Sequence, residues 1–192
     1  MKKRICALVF AIFIPIMLFV ACGGTSEAEV EMGPAHGVWN GNVYINEYLG
    51  LEFTMPDNWL MMTAEELARI VGTSTSIDEM IEGEVIHDMM AFGGADVEIS
   101  FERFSEGSAM DYLEAEANRL KEITMGNADL IFADRTTRIG ARDYYLLTYT
   151  LQIGNNASVR HYFVNGQGEY MSIITINLGS NYALEDILAM FN

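Results

Sequence analysis

The chain has 192 residues, of which 51% are hydrophobic, and its 27 acidic and 11 basic residues give a formal net charge of −16. So acidic a chain repels the phosphates of nucleic acids, and we exclude nucleic-acid binding. The length suits one domain that buries most of its apolar surface. We interpret the acidity as a solubility feature, with an acidic docking surface for a cationic partner as the alternative.

The N-terminus has the pattern of an export signal. Three basic residues at positions 2–4 precede an uncharged apolar run, Ile5–Ala21, which ends at Cys22. The alternative is an uncleaved membrane anchor, but the run has 17 residues and contains Pro15, whereas a spanning helix needs about 20. In both cases the basic end stays inside the cell and the rest of the chain faces outside the cytoplasm.

The end of this run, Leu18–Cys22 with the sequence LFVAC, resembles a bacterial lipobox, in which a small residue precedes the cysteine. The resemblance implies that residues 1–21 are a lipoprotein signal peptide and that the thiol of Cys22 is the lipid-attachment site. It also implies that the protein is anchored in the cell membrane through this lipid and lies outside the cytoplasm.

The predicted mature chain has no disulfide, because the only other cysteine, Cys6, lies in the removed peptide. Its core alone must therefore stabilise it. Removing residues 1–21 leaves 171 residues with 8 basic and 27 acidic side chains, a net charge of −19. Residues 22–37, rich in Gly, Ser and Glu, are predicted to be the lipidated cysteine and a flexible tether. His36 falls in this tether, and we do not expect it to be a ligand.

A single domain is predicted over residues 38–192. It opens with two short antiparallel strands, Val43–Asn46 and Leu51–Met55, and the second strand alternates apolar and polar residues. The triplet of residues 56–58, Pro-Asp-Asn, predicts a turn. Trp59 then returns to the core.

Four helices are predicted. Capping boxes start the first at Thr63 and the second at Ser76. Ser108 starts a longer helix, with apolar residues at helical spacing up to Gly126, and the last helix is Tyr182–Phe191.

Strands fill the remaining segments. Val97, Ile99 and Phe101 alternate with acidic residues, which predicts a strand with one buried and one solvated face. Residues 144–153 are apolar on both faces and predict the central strand, and a strand meander follows over residues 159–176. The fold class is therefore α+β, with an antiparallel sheet of six to eight strands covered by helices.

The opening of the domain resembles the PsbP and Mog1-like family. The pattern is Tyr44-x-Asn46 followed by Gly50-Leu51-x-Phe53-x-x-Pro56-x-x-Trp59, within about residues 38–67. It is also similar to short lipoproteins of anaerobic Gram-positive bacteria. The resemblance implies an α/β/α sandwich that serves as a binding or accessory module and not as an enzyme, and it supplies no catalytic residues.

The sequence has none of the motifs that carry common catalytic or cofactor chemistry, so we predict no enzyme activity, no metal and no cofactor. His87 and His161 lie inside predicted strands, and we interpret them as structural residues, with metal ligation as the alternative. Acidic pairs on helices are interpreted as caps and solvated faces. An extracytoplasmic hydrolase that acts on cell-wall polymer or sugar through two carboxylates is the alternative function.

Three arginines, Arg135, Arg138 and Arg142, form the candidate site for an anionic ligand or partner. Internal pairing with the domain's own carboxylates is the alternative. The tyrosines of the second half could line a carbohydrate or peptide groove, or they could simply cover the sheet. We expect a monomer that binds an envelope protein or an extracellular ligand.

Replacing Cys22 with Ala should abolish incorporation of labelled palmitate and leave the signal peptide uncleaved, because both steps need the thiol. Metabolic labelling followed by immunoprecipitation measures this. Incorporation of label into the Cys22→Ala chain would contradict the lipoprotein assignment.

Overall fold

A computed structural model describes residues 33–192 except residues 106, 154, 155 and 180. The predicted signal peptide, Cys22 and most of the predicted tether lie outside the described residues. Within the described part, no helix has the length and apolar composition that crossing a membrane requires. The strands are β1 (Val38–Asn40), β2 (Val43–Asn46), β3 (Leu51–Thr54), β4 (Leu60–Thr63), β5 (Val85–Phe92), β6 (Ala95–Arg103), β7 (Ala128–Phe132), β8 (Thr137–Ile139), β9 (Arg142–Ile153), β10 (Asn156–Gln167) and β11 (Tyr170–Leu178); the helices are α1 (Ala64–Val71), α2 (Ala109–Ile123) and α3 (Leu184–Leu188).

The fold belongs to the α+β class and is built on an antiparallel sheet of eight strands. Their order is β4-β5-β6-β11-β10-β9-β7, and β8 pairs with one end of β9. This confirms the predicted fold class and sheet size. The strands β1, β2 and β3 form a separate sheet of three strands.

The prediction that residues 144–153 form the central strand is wrong, because β9 lies next to β7 at one end of the strand order. Its apolar composition on both faces has another cause. Tyr144 and Leu147, on opposite faces of β9, are both fully buried. Layers therefore cover both faces of the sheet near this edge.

The two faces of the large sheet carry two separate hydrophobic clusters. On one face, residues such as Val97 and Phe163 pack with side chains of the small sheet and of α3, including Phe53 and Ile187. On the other face, residues of α2 such as Leu113 and Leu120 pack against Leu147 and Val164. The expected α/β/α arrangement therefore has one layer made mainly of strands.

The predicted hairpin and turn are confirmed. β2 and β3 pair antiparallel, with Tyr44 opposite Phe53. Trp59 is 3% exposed and contacts Tyr182 edge to face, at 5.4 Å between ring centroids.

Two of the predicted helix starts are confirmed by their caps. Thr63 accepts a hydrogen bond from the backbone of Glu66, and Ser108 accepts one from the backbone of Asp111. The helix predicted at Ser76 is wrong. Only the short 3₁₀ turn Ile77–Glu79 forms there, and the Ser76 side chain caps nothing.

The last helix is shorter than predicted. α3 ends at Leu188, and the chain after it leaves the helix to pair with β3. The backbone N–H of Asn192 donates to the carbonyl of Glu52 at 2.9 Å, and Glu52 donates back at 3.0 Å. Strand pairing thus replaces the final helical turn.

A buried carboxylate, Asp88, joins the small sheet to the large one. The register of β5 shifts between His87 and Met89, so Asp88 is the extra residue of a β-bulge. Its side chain is completely buried. It accepts hydrogen bonds from the Tyr44 hydroxyl and from the Asn46 amide, the latter at 3.0 Å.

Asp88 also holds the segment before β1. The Gly37 backbone N–H donates to Asp88 at 3.1 Å, and the Nδ1 of His36 lies 2.6 Å from the carboxylate. The other ring nitrogen of His36 contacts the Thr75 carbonyl at 2.6 Å, and Pro34 is buried. Residues 34–37, which composition assigned to the flexible tether, are therefore packed against the domain.

Replacing Asp88 with Ala should lower the free energy of unfolding by roughly 3 kcal/mol or more, because each buried donor left without an acceptor costs about 1–3 kcal/mol. Urea unfolding of the mature chain, with Cys22 changed to Ser, measures this. Asp129→Ala is the control, because Asp129 is an exposed strand residue and should change stability by about 0.5 kcal/mol at most. Equal stability of the two variants would refute the role given to Asp88.

Candidate functional site

The candidate site is a cleft on the face of the large sheet that α2 covers only in part. Leu113, Ala117 and Leu120 of α2 pack against Leu147 of β9 and Val164 of β10. The same face of β5 and β6 lies beside the helix. A cleft of about 540 Å³ remains between α2 and these strands.

The residues that line the cleft come from four strands and from α2. Because side chains alternate along a strand, β6 points Glu98, Ser100 and Glu102 into the cleft while Val97 and Ile99 enter the opposite core. The other lining residues include Val85 and His87 of β5, Arg160 and Tyr162 of β10, Ile173 and Thr175 of β11, and Tyr112, Ala115, Glu116 and Arg119 of α2.

His87 and Glu98 form a pair on adjacent strands. The Nδ1 of His87 contacts the Glu98 carboxylate, and the two side chains are 23% and 25% exposed. The hydrogen bond to Glu98 raises the pKa of His87 above its ordinary value, although burial opposes this. The pair therefore favours the charged histidine at the floor of the cleft.

Glu102 is held by a hydroxyl group. The Tyr112 hydroxyl donates to the Glu102 carboxylate at 2.6 Å. Burial raises the pKa of Glu102, and the nearby Glu116 carboxylate adds to this, whereas the Tyr112 hydrogen bond lowers it. Glu98 and Glu102 of β6 are thus part of the cleft, and the interpretation that they are simply solvated is wrong for these two residues.

Glu116 and Arg119 form a pair within α2. The Nε and Nη2 atoms of Arg119 each donate to one oxygen of Glu116 at 2.6 Å. Arg119 is 59% exposed and Glu116 is 10% exposed. This bidentate geometry fixes the charges on the helical wall of the cleft.

Arg160 has far fewer contacts. Its Nη1 donates to the Tyr162 hydroxyl at 3.4 Å. Its Nε is buried and has no hydrogen-bond partner. Among the described residues Arg160 forms no ion pair. The guanidinium therefore keeps most of its donors for a group that enters the cleft.

The cleft thus combines both signs of charge with aromatic and apolar walls. Such a mixture suits recognition of a small polar molecule. Among the described residues, no group of three His, Cys, Asp or Glu side chains is placed to hold a metal ion. The candidate site is therefore a partly covered cleft whose lining carries charges of both signs.

Arg142, one of the three predicted site arginines, contacts the domain itself. Its Nε donates to the Leu49 carbonyl at 3.2 Å, and its Nη2 donates to the Tyr48 carbonyl. The guanidinium also lies 4.7 Å from the centre of the Tyr48 ring. Arg142 therefore fastens the β8–β9 hairpin to the loop before β3.

The other two predicted arginines lie at the surface. Arg138 forms an ion pair with Asp143 at 3.5 Å, and both side chains are 60% exposed. Arg135 is exposed in the turn before β8. The structure gives the three arginines different environments, and anion binding by Arg135 and Arg138 stays a prediction.

His161 has a structural environment. It is 7% exposed, and its Nδ1 lies 2.9 Å from the Thr148 hydroxyl. Burial lowers its pKa below the ordinary value. His161 lies outside the cleft, whereas His87 lies inside it.

One sequence pattern points to the cleft. The alternation on β6 showed that Glu98 and Glu102 share a face, but it could not show that α2 forms a wall beside them. Arg160 and Arg119 are distant in sequence from these residues and from each other. Their meeting depends on the strand order, which a local pattern does not contain.

No family model and no curated protein matches this chain. It is similar to the solution structure of cyanobacterial PsbP from Synechocystis sp. PCC 6803, with 13% identity, a TM-score of 0.48, and coverage of 84% of this chain and 98% of that chain. A crystal structure from Bacteroides thetaiotaomicron VPI-5482 has 12% identity and a TM-score of 0.39, with coverage of 74% of this chain and 44% of that chain.

A third similar structure is protein PA94 of unknown function from Pseudomonas aeruginosa, with 12% identity and a TM-score of 0.31. It covers 76% of this chain and 85% of that chain. Because identities and TM-scores are this low, we infer function from this chain's own residues.

His87 should titrate above 6.5, its ordinary value, and Glu98→Gln should lower its pKa, because the negative charge of the carboxylate is lost while burial remains. NMR titration of the three histidines measures this, with His161 as an internal reference that titrates below 6.5. Since a raised histidine pKa stabilises the folded state only while the ring is charged, the contribution of His87 to stability should be complete below pH 6.5 and be lost as pH rises through the folded-state pKa. An unchanged His87 pKa in Glu98→Gln would contradict the pairing.

Proposed function

We propose that this protein is a membrane-tethered lipoprotein, outside the cytoplasm, whose domain binds a small polar ligand without chemically changing it. The observation that carries the proposal is the cleft beside α2. Its volume of about 540 Å³ lies within the roughly 300–1,000 Å³ of small-molecule sites.

The membrane tether is supported by the sequence. The basic start, the apolar run and Cys22 together form the lipobox-like pattern. A lipid on Cys22 would hold the domain close to the membrane, and one acyl chain alone gives only marginal anchoring. The diacylglyceryl group implied by the lipobox resemblance supplies two chains.

A binding role is supported by the way the cleft carboxylates are held. Glu98 contacts His87, Glu102 accepts from Tyr112, and Glu116 is paired with Arg119. Such cross-links fix the shape of the cleft before a ligand enters, which lowers the entropic cost of binding.

The hydrolase alternative needs one protonated and one ionised carboxylate across the scissile bond. Glu102 has the raised pKa that a general acid needs. However, Glu98 is ion-paired with His87 and Glu116 with Arg119, which weakens either as a nucleophile or base. We therefore prefer the binding role.

The test uses the mature chain with Cys22 changed to Ser and the small-molecule fraction of an envelope extract. The chain is incubated with the extract, separated by gel filtration and examined by native mass spectrometry. We expect one compound to be retained unchanged. Retention of a cleaved product would favour the hydrolase.

A steric block decides whether the retained compound lies in the cleft. Ala115 is an exposed residue of α2 that lines the cleft, so Ala115→Trp should fill the entrance and abolish retention. The matched control is Glu114→Trp, because Glu114 is exposed on the same helix and does not line the cleft. Equal retention by both variants would contradict the proposal.

A further inference from the structure

The charges of the cleft do not all cancel in pairs. His87 is paired with Glu98, and Arg119 is paired with Glu116. Among the described residues, Arg160 and Glu102 are the lining side chains of opposite charge that form no ion pair. In the part of the chain that the structure describes, the cleft therefore presents one guanidinium and one carboxyl group that no ion pair within the protein neutralises.

Arg160 has free hydrogen-bond donors that an anionic group can accept. A guanidinium has five N–H donors, and the only hydrogen bond that Arg160 makes in the described part is the one at 3.4 Å to Tyr162. Its Nε is buried without a partner, and an unsatisfied buried donor is costly. A carboxylate is the complementary group, since it can accept two parallel hydrogen bonds from a guanidinium.

Glu102 is suited to bind a positively charged group of the ligand. Its carboxylate is half-buried and accepts one hydrogen bond, from Tyr112 at 2.6 Å. Its remaining lone pairs can accept further hydrogen bonds. An ammonium group would supply further donors and a positive charge in direct contact with the carboxylate, which Arg119 supplies only from a distance.

The strand register gives the spacing between the two groups. Glu102 is opposite Met171, which is opposite Gly166 of β10, and Arg160 lies six residues before Gly166. At about 3.4 Å per residue, the two Cα atoms are roughly 20 Å apart along the strands, and the two strand spacings between β6 and β10 add about 10 Å across them, so the Cα–Cα distance is roughly 22 Å. The Arg160 side chain reaches towards Tyr162, which lies on the Glu102 side, so the charged groups are closer together than the Cα atoms.

We infer that the cleft binds an extended dipolar molecule, of the chemical class of a short peptide, with its carboxylate at Arg160 and its ammonium group at Glu102. This inference rests on the proposed function and names its ligand class. A single amino acid is too short to bridge the two groups. A peptide of four residues extends over at most about 14 Å, which is less than the Cα separation and leaves the rest of that distance to the Arg160 and Glu102 side chains.

The probe is tetra-alanine with free ends, compared with its C-terminal amide and its N-acetyl form by isothermal titration calorimetry on the mature Cys22→Ser chain. Because each capped form loses one charge-assisted contact, each should bind at least about tenfold more weakly than the free peptide. Free alanine should bind more weakly than either capped form. Failure of tetra-alanine to bind, or equal binding of the three peptides, would overturn the inference.

Two variants that each replace a charged side chain with a neutral one show which end of the peptide binds at which residue. In Arg160→Gln the preference for the free carboxylate over the amide should vanish, while the preference for the free amine should remain. In Glu102→Gln the reverse should hold. The controls are Arg69→Gln and Glu122→Gln, since both residues are exposed on helices and do not line the cleft.

The outcomes separate this inference from the proposed function. If Ala115→Trp blocks retention of an envelope compound but the peptide preferences do not follow Arg160 and Glu102, the inference fails and the binding role stands. If the preferences follow the two residues in the opposite order, the assignment of the ends is wrong. Thermal melts of all variants show whether a loss of binding reflects a loss of folding.

Discussion

The buried carboxylate of Asp88 is the interaction on which the rest of the fold depends. A carboxylate removed from water must be hydrogen-bonded, and the donors come from Gly37, Tyr44 and Asn46. The bulge in β5 turns Asp88 towards them while His87 remains on the opposite face. One irregularity of the backbone therefore fixes the small sheet in place and leaves a histidine in the cleft.

The second constraint is the position of α2. Its apolar side chains need only part of the sheet face, so the rest of that face stays open. Partly buried carboxylates in this open part of the face are costly unless they are hydrogen-bonded or paired. Glu98 and Glu116 satisfy this rule through His87 and Arg119. Arg160 and Glu102 form no ion pair in the described part of the chain. We propose that a ligand supplies their missing partners.

Local chemistry was predictable from the sequence, and long-range assembly was not. The caps at Thr63 and Ser108 and the burial of Trp59 follow from patterns within a few residues. The strand order does not follow from such patterns. A strand that is apolar on both faces, such as β9, resembles a central strand even when it lies near the edge of the sheet and other layers cover both of its faces. His36 was assigned to the tether because composition cannot reveal a carboxylate 52 residues away. Sequence patterns do not show the cleft for the same reason, since its charged side chains come from four elements, β5, β6, β10 and α2.

The overall acidity and the chemistry of the cleft act on different length scales. The predicted mature chain carries a net charge of −19, and its field repels anionic polymers and membranes beyond contact distance. That field is screened over about 10 Å in ordinary salt, and a dipolar ligand without net charge meets little of this repulsion. Inside the cleft, nearby unpaired groups govern the orientation of a ligand. An acidic surface is thus compatible with selective binding of a carboxylate at Arg160, because the opposing charge of Glu102 lies at the other end of the same molecule.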